Sequence, residues 1–374
     1  MDATPVLLLL ESFGRGGAER VVLNTVAAMD RTRFQPEVVH LFAPDGLAEE
    51  CRALGVEVRG LGLRGPEDLV KGILAVRRML RARPGAVVHT HLFFANVVGR
   101  LASLGTDARV VTTLHNPDYG QEAHGGLRFR VRVALDRLSH MLNPGTVLAV
   151  SEEVRRDYVR EMAYGGIRVL PNYMDIAPFQ ARVAAQDRRA LRAAHGVPDD
   201  AVVVLHVGRF HRQKAQDVLV EAAILAREAA PALRVVFLGR DADASGLPER
   251  VATAGAEDTV RFEGLVEDPL PWYALADAFA FPSRYEAFGV ALLEAMAAGL
   301  PSVVSTVGGI DEVATSQTSL FVAPDDAEGL AEALVRLTTD AGLRARLGAA
   351  ARERARVFDA GPVLERLEAI YDGA

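Results

Sequence analysis

The chain has 374 residues, half of them apolar and about a quarter charged, with a net charge of −7. That is material for two globular cores, and the negative balance speaks against a general nucleic-acid binder, which would be basic. Cys51 is the single cysteine, so an intrachain disulfide and a thiolate metal cluster are both excluded.

The first apolar run, "VLLLL" at 6–10, has no basic residues ahead of it. It is too short for a signal peptide or a membrane span, and no later run reaches eighteen apolar residues. A cytoplasmic protein is expected, with peripheral attachment to the inner face of a membrane left open. Further β-like runs follow at 37–42, 86–93, 109–115 and 146–151, and a second series at 201–208, 233–239, 259–264, 278–283, 301–306 and 319–323. They are near-continuously apolar and alternate with helical patterns. Parallel sheet covered on both faces reads this way, so the fold class is α/β. Pro171, Pro178 and Pro198 punctuate a polar stretch between the series. We place a linker at about 172–185. The N-terminal domain is 1–175 and the C-terminal domain 180–357. Two doubly wound domains facing across a cleft are expected, with ligands at the carboxyl ends of the strands.

Three strand-end loops carry chemistry. The first, "ESFGRGGAER", has Gly14, Gly16 and Gly17 before a helix from about Ala18. Free amides at a helix start suit a phosphate, and the same glycines also suit a plain tight turn. A dinucleotide fingerprint fails, because Glu19 stands where its third glycine belongs. The second loop, "HVGRFHRQK", brings Arg209 and Lys214 after a buried strand. A planar fork and a mobile point charge suit a diphosphate, although a solvated basic turn has the same composition. In the third, "SRYEAFGVALLEAMAAGLP", Glu286 and Glu294 stand eight positions apart. Glu286 precedes the helix, where an acid also complements the dipole. Glu294 lies among apolar neighbours, and a carboxylate there needs a partner. Both acids can accept from vicinal hydroxyls of a sugar.

Together with "VVHTHLFFANVVGRLAS", "TTLHN", "AVSEEVRRDYV", "VLPN" and "STVGGIDE", these segments resemble the GT-B retaining glycosyltransferases of family 4, in order and over nearly the whole chain. The resemblance implies an acceptor-binding N-terminal domain, a donor-binding C-terminal domain, and a last helix at about 359–374 that crosses back to the first domain. It implies a nucleotide diphosphate held by Arg209 and Lys214, sugar hydroxyls on Glu286 and a ribose diol on Glu294. Amides at Phe288, Gly289 and Val290 would meet the sugar and phosphate. Backbone near Val266 would meet the base, Gly16 and Gly17 the phosphates, and His115 the reacting sugar. Two departures stand out. Ala287 replaces a glycine common in relatives, and "PNYMD" replaces P-N-G-[IV]-D, so that Tyr173 and Met174 are expected at the hinge or cleft wall.

The implied chemistry is front-face substitution through an oxocarbenium-like state, with the leaving diphosphate taking the acceptor proton. Arg209 and Lys214 replace a divalent metal, so no cofactor is expected. UDP is the default nucleotide, and a hexose or N-acetylhexosamine passes to a hydroxyl of a glycan, glycolipid or small molecule. His89 and His91 share a strand face near His115, but no carboxylate or thiolate at matching spacing completes a zinc site. These imidazoles fit an acceptor pocket or hydrogen-bonded strand ends. Ser151 with Glu152 and Glu153 reads as a helix start. Residues 126–140 carry Arg128, Arg130, Arg132 and Arg137 among apolar residues. Relatives acting on lipid-linked acceptors use such a helix on membranes, and an ordinary solvated face has the same pattern. A UDP-sugar 2-epimerase of the same architecture and a non-catalytic nucleotide-sugar-binding protein are the alternatives.

Overall fold

The structure is a computed structural model, and it describes residues 3–117 and 126–373. The chain divides into two compact units, Met1–Asp175 with Asp359–Ala374, and Ile176–Phe358. The first unit holds seven parallel strands in the order β3-β2-β1-β4-β5-β6-β7. They are β1 (Thr4–Leu10), β2 (Phe34–His40), β3 (Glu57–Gly60), β4 (Val87–His91), β5 (Arg109–Leu114), β6 (Thr146–Ala149) and β7 (Arg168–Val169). The second holds six, in the order β10-β9-β8-β11-β12-β13. They are β8 (Val202–Val207), β9 (Leu233–Leu238), β10 (Val260–Gly264), β11 (Ala278–Phe281), β12 (Ser302–Ser305) and β13 (Ser319–Val322).

Every strand pairing is parallel, as the unbroken apolar runs of the central strands predict; the edge strands β3 (EVRG) and β7 (RV) join them without such a run. Leu8 and Leu10 of β1 pack with Val22 and Val26 of the helix Gly17–Ala28, while Leu7 and Leu9 pack with Val76 and Val98 on the opposite face. In the second unit Val235 and Phe237 of β9 pack with Leu219 and Leu334. Each sheet reverses its strand order once, between β1 and β4 and between β8 and β11. At such a point successive crossovers leave in opposite directions, and the carboxyl-end loops part to make a crevice.

The last helix, Ala360–Asp372, belongs to the first unit, where Val363, Leu364, Leu367 and Tyr371 enter its core. Glu368 ties it down, accepting from the Asp30 amide at 2.9 Å and pairing with Arg33 at 2.9 Å.

One expectation changes here and another is refined. The stretch read as a linker is in part a helix, Ile176–Ala184, with the unit boundary between Asp175 and Ile176. Tyr173 and Met174 are core residues of the first unit. The Tyr173 hydroxyl lies 2.7 Å from Thr25 Oγ1, its carbonyl accepts from Asn24 at 3.0 Å, and Met174 bridges to Asp359. The Tyr173 side chain and the Met174 backbone bridge thus hold the chain where it leaves and re-enters the first unit.

Candidate active site

The second unit places its chemistry at the reversal point. β8 ends at Val207, and Gly208 and Arg209 follow. Arg209 is exposed and makes no ion pair among the described residues. A short 3-10 turn, Arg212–Lys214, then precedes the helix Gln216–Ala226. Lys214 therefore sits in that turn, just ahead of the helix. Its ammonium is ion-paired with the Glu286 carboxylate and lies 4.7 Å from the centre of the Phe281 ring. β8 and β11 are neighbours in the sheet, and that pairing joins the two loops.

Glu286 is 9% exposed, at the end of the loop after β11. Several contacts fix that loop. The Glu286 carbonyl accepts from the Gly309 amide at 3.1 Å, and the Ser283 carbonyl accepts from Ser305 Oγ. A Cβ at Gly309 would stand 2.1 Å from the Ala287 carbonyl oxygen, so only glycine fits there. Ala287 is absent from the residues with left-handed backbone, so it needs no glycine of its own. Gly289 does, with φ of 88°, just before the helix Val290–Ala297. Phe288 is buried, edge-on to Phe358 at 5.3 Å.

Glu294 has the partner its surroundings demand: Tyr273 Oη donates to its carboxylate at 2.8 Å. Val266 lies partly exposed in the loop after β10. Arg284 staples the first and third elements of this edge. It pairs with Asp217 at 2.7 Å and with Asp325 at 2.6 Å, and donates to the Arg212 carbonyl at 2.7 Å. Neither Arg284 nor Tyr273 was singled out from the sequence, because their partners are remote in it. Below Lys214, His206 is fully buried, and its Nδ1–H donates to the Ala280 carbonyl at 2.9 Å. Burial, and after it the Lys214 ammonium, push this imidazole down to about 4.

In the first unit, Gly16 caps the helix Gly17–Ala28 without a side-chain bond of its own. A Cβ there would stand 2.3 Å from the Glu19 carboxylate, which accepts from Ser12 Oγ at 3.2 Å. Glu19 occupies the third helical position, where an acid reaches back over the helix start. A carboxylate of the chain itself thus lies beside Gly16 at this helix start. His115 directly follows β5 and is buried, with Nε2 2.9 Å from His91 Nδ1. His89 lies beside them, bonded to Tyr371 Oη at 2.6 Å and Thr113 Oγ1 at 2.7 Å. Burial pushes His89 down to about 3 and His115 to about 4, and lowers His91 well below the ordinary range. All three are neutral at pH 7. Among the described residues no cluster of histidine, cysteine or carboxylate is arranged to hold a metal ion. Ser151 caps the helix Glu152–Met162, accepting from the Val154 amide at 3.2 Å.

A family model described as Glycosyltransferase Family 4 matches residues 15–177, and one described as Glycosyl transferases group 1 matches residues 201–340. A D-inositol 3-phosphate glycosyltransferase of Thermomonospora curvata is 31% identical, over 86% of this chain and 81% of its own. The chain belongs to glycosyltransferase family 4. It is a transferase, and its two Rossmann-like parallel-sheet units are those of the GT-B fold. HepE of Anabaena, solved in complex with UDP-glucose, superposes with a TM-score of 0.84 at 21% identity, covering 99% of this chain and 100% of its own. The sucrose-phosphate synthase of Thermosynechococcus elongatus gives a TM-score of 0.79 at 23% identity, covering 99% of this chain and 98% of its own. At that identity these two likenesses speak to the fold alone.

Proposed function

We propose that this glycosyltransferase moves a hexose or N-acetylhexosamine from UDP to a hydroxyl of a glycan, glycolipid or small-molecule acceptor, with retention and without a divalent metal. The observation that carries the proposal is the Lys214–Glu286 ion pair at the strand-order reversal of the second sheet, with exposed Arg209 in the same loop as Lys214. Two cations there suit a diphosphate, and the adjoining carboxylate suits the hydroxyls of the sugar it bears. Glu294, oriented by Tyr273, would take the ribose diol. Backbone near Val266 would take the base, and the amides at Phe288, Gly289 and Val290 the sugar and phosphate. From the first unit, Gly16 and Gly17 are assigned to phosphate and His115 to the transferred sugar.

The chemistry that follows is electrostatic. The glycosidic C–O bond breaks ahead of attack, and negative charge grows on the diphosphate beside Arg209 and Lys214. These cations stabilise it most when it is largest, which lowers the barrier. The acceptor attacks from the same face and gives its proton to the departing phosphate oxygen. Incubation with UDP-sugars and a panel of glycoside acceptors in EDTA tests this. The expected product is an α-linked glycoside from an α-linked donor. Epimerised donor without acceptor would instead mark a 2-epimerase, and binding without turnover a sensor.

A peripheral membrane contact is part of the proposal. The helix Leu127–Leu142 exposes Leu127, Val131, Leu138, Met141 and Leu142 beside exposed Arg128, Arg130 and Arg137, and its one acid, Asp136, is buried against Arg100. Apolar and cationic side chains side by side suit an anionic bilayer surface. No helix among the described residues is long and apolar enough to cross a membrane. Co-sedimentation with anionic vesicles, lost in Leu138→Asp/Met141→Asp, is the expected result.

A further inference from the structure

The carboxyl edge of the first sheet carries a line of buried imidazoles whose protons can be counted. Tyr371 Oη is fully buried with His89 Nδ1, 2.6 Å away, as its one hydrogen-bond partner among the described residues; accepting there would strand its own O–H, so the phenol donates and His89 keeps its proton on Nε2, facing Thr113 at 2.7 Å. His91 Nδ1 faces His115 Nε2 at 2.9 Å, while His91 Nε2 is buried with no partner among the described residues. Both rings are neutral, because burial holds them below the ordinary range. A single proton therefore lies between them.

Had His115 supplied that proton, His91 would carry its own on Nε2, a buried N–H donor with nothing to accept it. When His91 supplies it, the atom left over is only a lone pair. Orphaned buried N–H groups are the rarer and costlier kind. His91 Nδ1–H thus donates to His115 Nε2. His115 then bears its proton on Nδ1, which, unlike His91 Nε2, is not among the buried atoms left without a partner, so the N–H there is not stranded.

We propose that His91 is a positioning residue that locks His115 in the Nδ1–H tautomer, so that His115 meets the transferred sugar as a neutral hydrogen-bond donor and not as a base. This rests on the placement of His115 at the sugar under the proposed function. It leaves the departing diphosphate as the group that takes the acceptor's proton.

Long-range proton–nitrogen NMR of the ¹⁵N-histidine enzyme, with His115→Gln for assignment, reads the tautomer directly. The expected wild-type signal is His115 protonated on Nδ1. His91→Asn puts an amide donor where Nδ1–H stood, and keeps both the tautomer and kcat within about threefold. His91→Asp presents only acceptors, moves the proton to Nε2, and lowers kcat by about tenfold or more with donor KM little changed. A wild-type spectrum showing His115 protonated on Nε2 overturns the lock, whether or not the variants fold. So does His91→Asp with unaltered tautomer and kcat. Full transfer by His115→Ala would overturn the placement at the sugar instead, whatever the spectrum shows.

Discussion

Lys214 and Glu286, seventy-two positions apart, are each other's ion-pair partner at the junction of β8 and β11. The residue assigned to phosphate and the residue assigned to sugar therefore neutralise one another. Neither is left as an uncompensated charge in a half-buried place, which would be costly. Donor binding must share or replace this contact.

That relationship separates two variants that would otherwise look alike. Lys214→Ala removes charge stabilisation of the leaving group, and transfer should fall by roughly a hundredfold or more, about 3 kcal/mol in the barrier. Its affinity for UDP should also fall. Glu286→Ala should lose transfer comparably yet bind UDP at least as tightly as wild type, because the competing carboxylate is gone. Calorimetric titration with UDP, alongside initial rates, checks both.

Tyr273 holds the Glu294 carboxylate at 2.8 Å. Tyr273→Phe should cost about 1.5 kcal/mol of stability, the lower range for a hydrogen bond to a charged group. Donor KM should rise severalfold with kcat nearly unchanged, the pattern of lost uniform binding. Thermal melts and steady-state kinetics measure the two effects separately.

The last helix completes the first core. Leu367 is 1% exposed, and Leu367→Ala should destabilise by about 2–5 kcal/mol. Tyr371→Phe strips the donor from His89 Nδ1 and should cost about 1–3 kcal/mol. Removing residues 359–374 should leave the first unit unable to fold, read as loss of its cooperative transition in urea.

Buried histidines give the protein an acid limit. His89, His115 and His206 are held at about 3, 4 and 4, against about 6.5 in an unfolded chain. Between those values the unfolded chain binds more protons, so stability rises with pH and is lost as pH falls below about 6.5. Each such histidine contributes a slope of up to about 1.4 kcal/mol per pH unit. Urea midpoints at descending pH should fall accordingly, and His206→Leu should flatten the slope by one proton.

Much of this molecule was legible locally. The central strands are buried, so their apolar runs are unbroken, whereas the edge strands β3 and β7, largely exposed and with no apolar run, escaped. Arg209, Lys214, Glu286 and Glu294 stand in short strand-end segments whose residue types already match a phosphate and vicinal hydroxyls. What escaped depends on strand order. Arg284 with Asp217 and Tyr273 with Glu294 are pairs that only neighbouring strands or packed helices bring together. Tyr173 and Met174 stand just before the unit boundary, where the sequence put a hinge, and what it did not show is that both are buried in the first unit. Glu19 failed as a fingerprint glycine and turned out to face the helix start itself.

A crystal structure of the enzyme soaked with UDP-sugar tests the central claim most directly. The account predicts the diphosphate between the Arg209 guanidinium and the Lys214 ammonium, at the carboxyl ends of β8 and β11, with sugar hydroxyls on Glu286. A nucleotide bound elsewhere, or bound there with Lys214 still wholly engaged by Glu286 and Arg209 turned to solvent, would contradict it.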